Sequence, residues 1–177
     1  MITLSQLSKI ARTASEARLS CFLQPLNDAM AEFSIDNPLR SAAFLAQVCH
    51  ESGGFYYVRE LASGKAYEGR ADLGNTWPGD GPRYKGRGLL QITGRENYEL
   101  CGEGLDLDLI NNPDLLEDHP YSSRSAAWFW SEFKNLNPLA DQGDFNRITK
   151  RINGGYNGLT ERVMYYDRAK HVLGLGA

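Results

Sequence analysis

The most constraining stretch of this chain is a helix with both of its ends written into the sequence. Asp36-Asn37-Pro38 is a start signal, with Asn37 as N-cap and Pro38 in the first helical position, and Ser52-Gly53-Gly54 is a stop. Between them Leu39, Ala42, Ala43, Ala46 and Cys49 recur at helical spacing. Such a largely apolar helix packs inward, which lets a residue at its end, Glu51, face a cleft.

Helical signals also dominate the rest of the chain. Thr3-x-x-Gln6 is a capping box, followed by Leu4, Leu7, Ile10 and Ala11 at helical spacing. A second helix is predicted over about Leu19 to Phe33, its first part left open by Pro25, and later ones near Ser122–Phe133, Asp144–Ile152 and Leu159–Leu173. From Ala62 to Pro82 glycines and prolines dissolve the pattern into a long loop, and loops of this length are often functional. Gly86 to Thr93 reads as a short strand or hairpin piece.

At 177 residues the chain has the length of one domain, with no repeat, low-complexity tract or linker. A net charge of −3 argues against nucleic acid and gives no help at an anionic membrane surface. No apolar run approaches the roughly 20 residues that span a bilayer, and the start shows no secretory signal. The expected protein is made in a cytoplasm, is not inserted in a membrane, and is monomeric by default. Cys21, Cys49 and Cys101 form no CxxC pair and are expected to be reduced and packed.

Two motifs carry the chemistry. The first runs from Phe44 to Phe55 and contains Gln47, His50 and Glu51. Partial burial of Glu51 would disfavour its charged form, which suits a general acid. A metalloprotease reading of His50-Glu51 fails because position 54 is Gly rather than the second His of HExxH. Glu60 follows nine residues on, and one continuous helix would hold the two carboxylates about 13 Å apart. The Gly53-Gly54 break permits the chain to fold back and close that gap.

The second motif runs from Tyr84 to Tyr98. Its glycines let backbone approach a ligand, and Gln91, Thr93 and Asn97 offer uncharged groups suited to sugar amides and hydroxyls. Gly86-Arg87-Gly88 lacks the frame of a phosphate loop. Neither motif has metal-ligand spacing, and no cofactor is expected.

Together the motifs resemble the family 19 glycoside hydrolases, the chitinase-like group that includes many phage endolysins. The matching pieces are Ala-Gln-x-x-His-Glu at 46–51, Gly-Arg-Gly-x-x-Gln-Ile-Thr at 86–93, Asn97-Tyr98, and Ile152-Asn153-Gly154-Gly155. The resemblance implies a mainly α, lysozyme-like (α+β) fold: a helical domain with a small β-hairpin or sheet lobe beside the cleft. It implies one catalytic domain over 1–177 with no separate cell-wall-binding module.

It also implies Glu51 as general acid, Glu60 as general base and Thr93 as a holder of the attacking water. Gln91, Asn97 and Asn153 then fall on sugar-contacting positions, with Tyr84 beside them, and His50 supports the acid. Arg162 resembles a family arginine that pairs with cleft carboxylates and counts among the substrate-site residues.

The leading expectation is an inverting endolysin that cuts β-1,4 bonds of peptidoglycan and reaches the periplasm through a holin or similar route. A chitinase is the runner-up. A lytic transglycosylase and a non-catalytic glycan-binding module are the remaining alternatives.

Overall fold

In the computed structural model, which describes residues 1–176, each predicted cap is formed. Thr3 and Gln6 complete the reciprocal capping box of α1 (Leu4–Ile10). Ser15 caps α2 (Glu16–Glu32), which begins three residues before the predicted start and runs through Pro25. The Asn37 side chain accepts from the Arg40 N–H to open α3 (Pro38–Glu51). Every residue of α3 from Ser41 to Cys49 is buried, which makes it the central helix of the molecule.

Around it stand a short α4 (Asp80–Arg83), α5 (Arg95–Leu105), α6 (His119–Trp128), α7 (Asn137–Asp141), α8 (Phe145–Asn153) and α9 (Leu159–Val172). A π-helical turn, Phe129–Phe133, extends α6. α3 packs chiefly on α9, and α2 chiefly on α6. Phe44 meets Trp130 edge-on at 5.5 Å, and Phe145 stacks on Tyr166 at 4.2 Å, which ties the late helices to the core. No helix among the described residues is long and apolar enough to cross a membrane.

The expected β lobe is not present. Among the described residues pairing is limited to two isolated bridges, Arg59 with Arg87 and Arg87 with Ile92. The backbone explains why. Neighbouring donors around Gly88 scatter to different partners: Gly88 N–H to Val58 O, Leu89 N–H to Ser122 O, and Arg87 N–H to Ile92 O. A ladder needs consecutive residues to share one partner strand. Gly88 and Gln91 also take positive φ, which curls the segment into a tight loop.

The region 62–82 is a loop as expected, though it contains two 3₁₀ turns, Lys65–Tyr67 and Ala71–Leu73, besides α4. The cysteines are free, but only Cys49 and Cys101 are packed; Cys21 is exposed, against expectation.

Candidate active site

Glu51 closes α3, and the chain then reverses through Gly53, Gly54 and Phe55, all with positive φ. The turn sends residues 58–60 back alongside 86–88, where Glu60 N–H donates to Gly86 O and Gly88 N–H donates to Val58 O. The fold-back permitted by the glycine pair is therefore realised. Glu51, Tyr57, Arg59, Glu60, Leu61, Ala62 and Gln91 line one open groove.

The two carboxylates have different surroundings. Arg162 Nη2 lies 2.5 Å from Glu51 Oε1. Arg162 is 2% exposed, and its other nitrogens donate to Asn157 O and to Gln47 Oε1. So Arg162, expected among the substrate-site residues as an arginine that pairs with cleft carboxylates, is a buried partner of Glu51. Glu60 accepts from the Tyr67 hydroxyl at 3.1 Å and from the Gly86 N–H at 3.2 Å. Burial, then the charge and hydrogen bond of Glu60, push the Tyr67 hydroxyl above its ordinary value, so it stays a donor.

Gly86 is where these parts converge. A Cβ there would meet Gln91 Oε1 at 2.5 Å, Thr93 Oγ1 at 3.2 Å and Glu60 Oε2 at 3.3 Å. Only glycine allows the three side chains to close over that backbone. Gln91 donates to Gly88 O, Thr93 Oγ1 donates to Gln91 O at 3.2 Å, and Asn97 Nδ2 donates to Thr93 O at 2.7 Å. Asn97 therefore braces the Thr93 segment.

Asn153 spans the turn after α8, accepting from Gly155 N–H and donating to Asn157 O. His50 lies with Nδ1 2.6 Å from Glu161 Oε2, and its ring covers Gly158. Its partner is Glu161 rather than Glu51.

Tyr84 is corrected. It is 1% exposed, its hydroxyl donates to Ile110 O, and Arg95 lies over its ring. It is a core residue beneath the motif. The residues that the sequence reading left without a role are Gln47, Tyr67 and Arg59. Gln47 could have been flagged as an amide inside an otherwise apolar run. Tyr67 and Arg59 gave no local signal. Among the described residues no group of acidic, histidine or cysteine side chains could hold a metal ion.

A helical domain with two carboxylates in one groove and a hydroxyl beside one of them is equipped for acid–base hydrolysis of a glycosidic bond. Comparison with known proteins agrees. The family model described as chitinase class I matches residues 35–154. A glycosyl hydrolase family 19 domain-containing protein of Haemophilus influenzae is 32% identical over 161 residues, covering 73% of this chain and 78% of that protein. An endochitinase of Arabidopsis thaliana is 42% identical over 134 residues, covering 75% of this chain. The chain spans about half the length of such plant relatives, 45% in that case. A crystal structure of a bacterial family 19 chitinase superposes with a TM-score of 0.81 at 25% identity, covering 98% of this chain and 95% of that one.

The chain belongs to glycoside hydrolase family 19. It is a chitinase-like glycoside hydrolase.

Proposed function

We propose that the protein is an inverting endo-hydrolase of β-1,4 bonds between N-acetylated sugars, and that its polymer is bacterial peptidoglycan. Glu51 gives a proton to the leaving oxygen while Glu60 takes one from the attacking water. One displacement by water inverts the anomeric centre, so a β bond yields an α product. Thr93 already donates to Gln91 O, which leaves its oxygen lone pairs to accept from that water. The observation that carries the reading is the convergence of Glu51 and Glu60 on one groove, with Thr93 beside Glu60 at Gly86.

Peptidoglycan is preferred because Arg59, although paired with Glu117 at 3.3 Å, lines the groove with 56% of its side chain exposed, and the lactyl-peptide branch carries carboxylates. In this reading the protein leaves its host's cytoplasm through a holin-type route and acts on the wall as a monomer. A chitinase is the second reading, favoured by the similarity to plant endochitinases.

The test puts purified peptidoglycan and colloidal chitin under one assay at equal enzyme concentration. Mass spectrometry reads the products, and early-time NMR of a soluble oligosaccharide digest reads the anomer. Reducing ends from peptidoglycan, poor chitin cleavage and an α product are expected. Efficient chitin hydrolysis with inert peptidoglycan would make the protein a chitinase. Anhydro sugars would make it a transglycosylase, and a β product would remove Glu60 from its role as base.

A further inference from the structure

Beneath Glu51 three helices contribute to a polar network in a place otherwise filled by apolar side chains. Gln47 of α3 and Thr149 of α8 are 0% exposed, and Arg162 of α9 is 2% exposed. Gln47 Nε2 donates to Thr149 Oγ1 at 2.9 Å, Gln47 Oε1 accepts from Arg162 Nη1, and Arg162 Nη2 reaches Glu51. Buried polar groups are costly unless satisfied, so this chain of contacts calls for an explanation.

The chemistry of the donors fixes its direction. A guanidinium has only donors, so Gln47 must turn its oxygen to Arg162. The amide nitrogen then points the other way and needs an acceptor, which Thr149 Oγ1 provides. The orientation of the amide sets which face of the guanidinium it holds, leaving Nη2 for Glu51. Arg162 takes Oε1 of Glu51, and Oε2 has no protein hydrogen bond among the described residues. That oxygen is left unengaged by the protein in a residue that lines the groove.

Resting on the proposed role of Glu51 as acid, we infer that Gln47 and Thr149 are positioning residues that aim Glu51 through Arg162, without touching substrate. Gln47→Met, similar in volume but without hydrogen bonds, is expected to lower kcat by about ten- to hundredfold, the scale for a misplaced reacting group, with KM nearly unchanged. Thr149→Val should lower kcat in the same way, and Thr149→Ser should restore it. In an Arg162→Ala background, Gln47→Met should cost nothing further, because the residues act in series.

The kinetics are referred to folded protein, measured by circular dichroism and thermal melting. If Gln47→Met does not fold, the valine and serine variants at 149 carry the same comparison. A purely structural role predicts lowered melting temperatures with kcat per folded enzyme unchanged, and that result, or a further kcat loss from Gln47→Met in the Arg162→Ala background, overturns the inference. Glu51→Gln runs in parallel. Dead Glu51→Gln with normal Gln47→Met and Thr149→Val sinks only the positioning role. An active Glu51→Gln sinks the assignment of the acid itself.

Discussion

Glu51 ends a helix that is buried along most of its length and is gripped by a guanidinium, whereas Glu60 rides on a looped segment and is held by a hydroxyl and a backbone N–H. The first arrangement needs a buried cation, and a buried cation needs further partners, which accounts for Gln47 and Asn157 around Arg162. The second needs only neutral donors at the right place, and its requirement is backbone geometry, which accounts for glycine at 86. One carboxylate therefore depends on the helical core and the other on how the loops are clamped.

The largest effect expected is at the helical side. On the role proposed for Glu51, Glu51→Gln keeps the shape but loses the transferable proton, and turnover should fall by about 10²–10⁴-fold or more. Binding of glycan to the folded variant, measured by pull-down on cell-wall polymer, should persist. Turnover near that of the wild type would break the comparison at its root.

Next comes the clamp of the loop side. Asp80, 2% exposed in its side chain, pairs with Arg95 at 2.5 Å and accepts from the Trp77 N–H. Asp80→Asn should cost on the order of 3 kcal/mol in stability, since it leaves Arg95 without its countercharge. The Arg95 hydrogen bond holds the Asp80 carboxyl below its ordinary value. The unfolded state then binds more protons, so this stability is present above the usual carboxylate range and is lost as pH falls through the folded value. Acid titration of the melting temperature should show a shallower decline for Asp80→Asn than for the wild type. Parallel declines would mean that other carboxylates dominate.

A smaller effect is expected at Tyr67→Phe, which removes one neutral hydrogen bond to Glu60. The loss is about 0.5–1.5 kcal/mol, or roughly two- to tenfold in kcat, read by steady-state kinetics. A loss as large as that of Glu51→Gln would mean that Tyr67 takes part in proton transfer.

The smallest contrast lies at Thr93. Thr93→Ser keeps the hydroxyl and should stay within about twofold of wild-type turnover, while Thr93→Ala should lower kcat more than it weakens binding. Equal losses in both variants would assign the residue to packing of its methyl group.

The difference between the two sides also sets what the sequence could disclose. The helical side is local in code: Asn37-Pro38 and Ser52-Gly53-Gly54 bound α3, so Glu51 could be placed at its end. Its partner could not be derived from spacing, because Arg162 lies 111 residues away, and only the family resemblance pointed to it. The loop side was legible as a set of polar residues and glycines but not as a shape. The stretch from Gly86 to Thr93 reads as a strand or hairpin piece, whereas the donors of Arg87, Gly88 and Leu89 scatter to different parts of the molecule. Tyr84 was misread for a related reason: its buried ring and its bond to Ile110 O depend on a segment 26 residues on. Helix α5 went unpredicted because its N-cap is Gly94, with no side-chain cap to announce it.

The 111-residue separation between Glu51 and Arg162 also governs when the site can exist. During synthesis the chain emerges from its N-terminus, so α3 is available long before α9. Until residue 162 is made and α9 has docked, Gln47 has no cation to accept from and Glu51 has no partner. Closing so long a loop costs chain entropy, though that cost grows only slowly with length. Turnover in this protein thus reports on assembly as well as on chemistry, and a chain whose last helix has not docked has an unfinished Glu51 side even with both carboxylates already made.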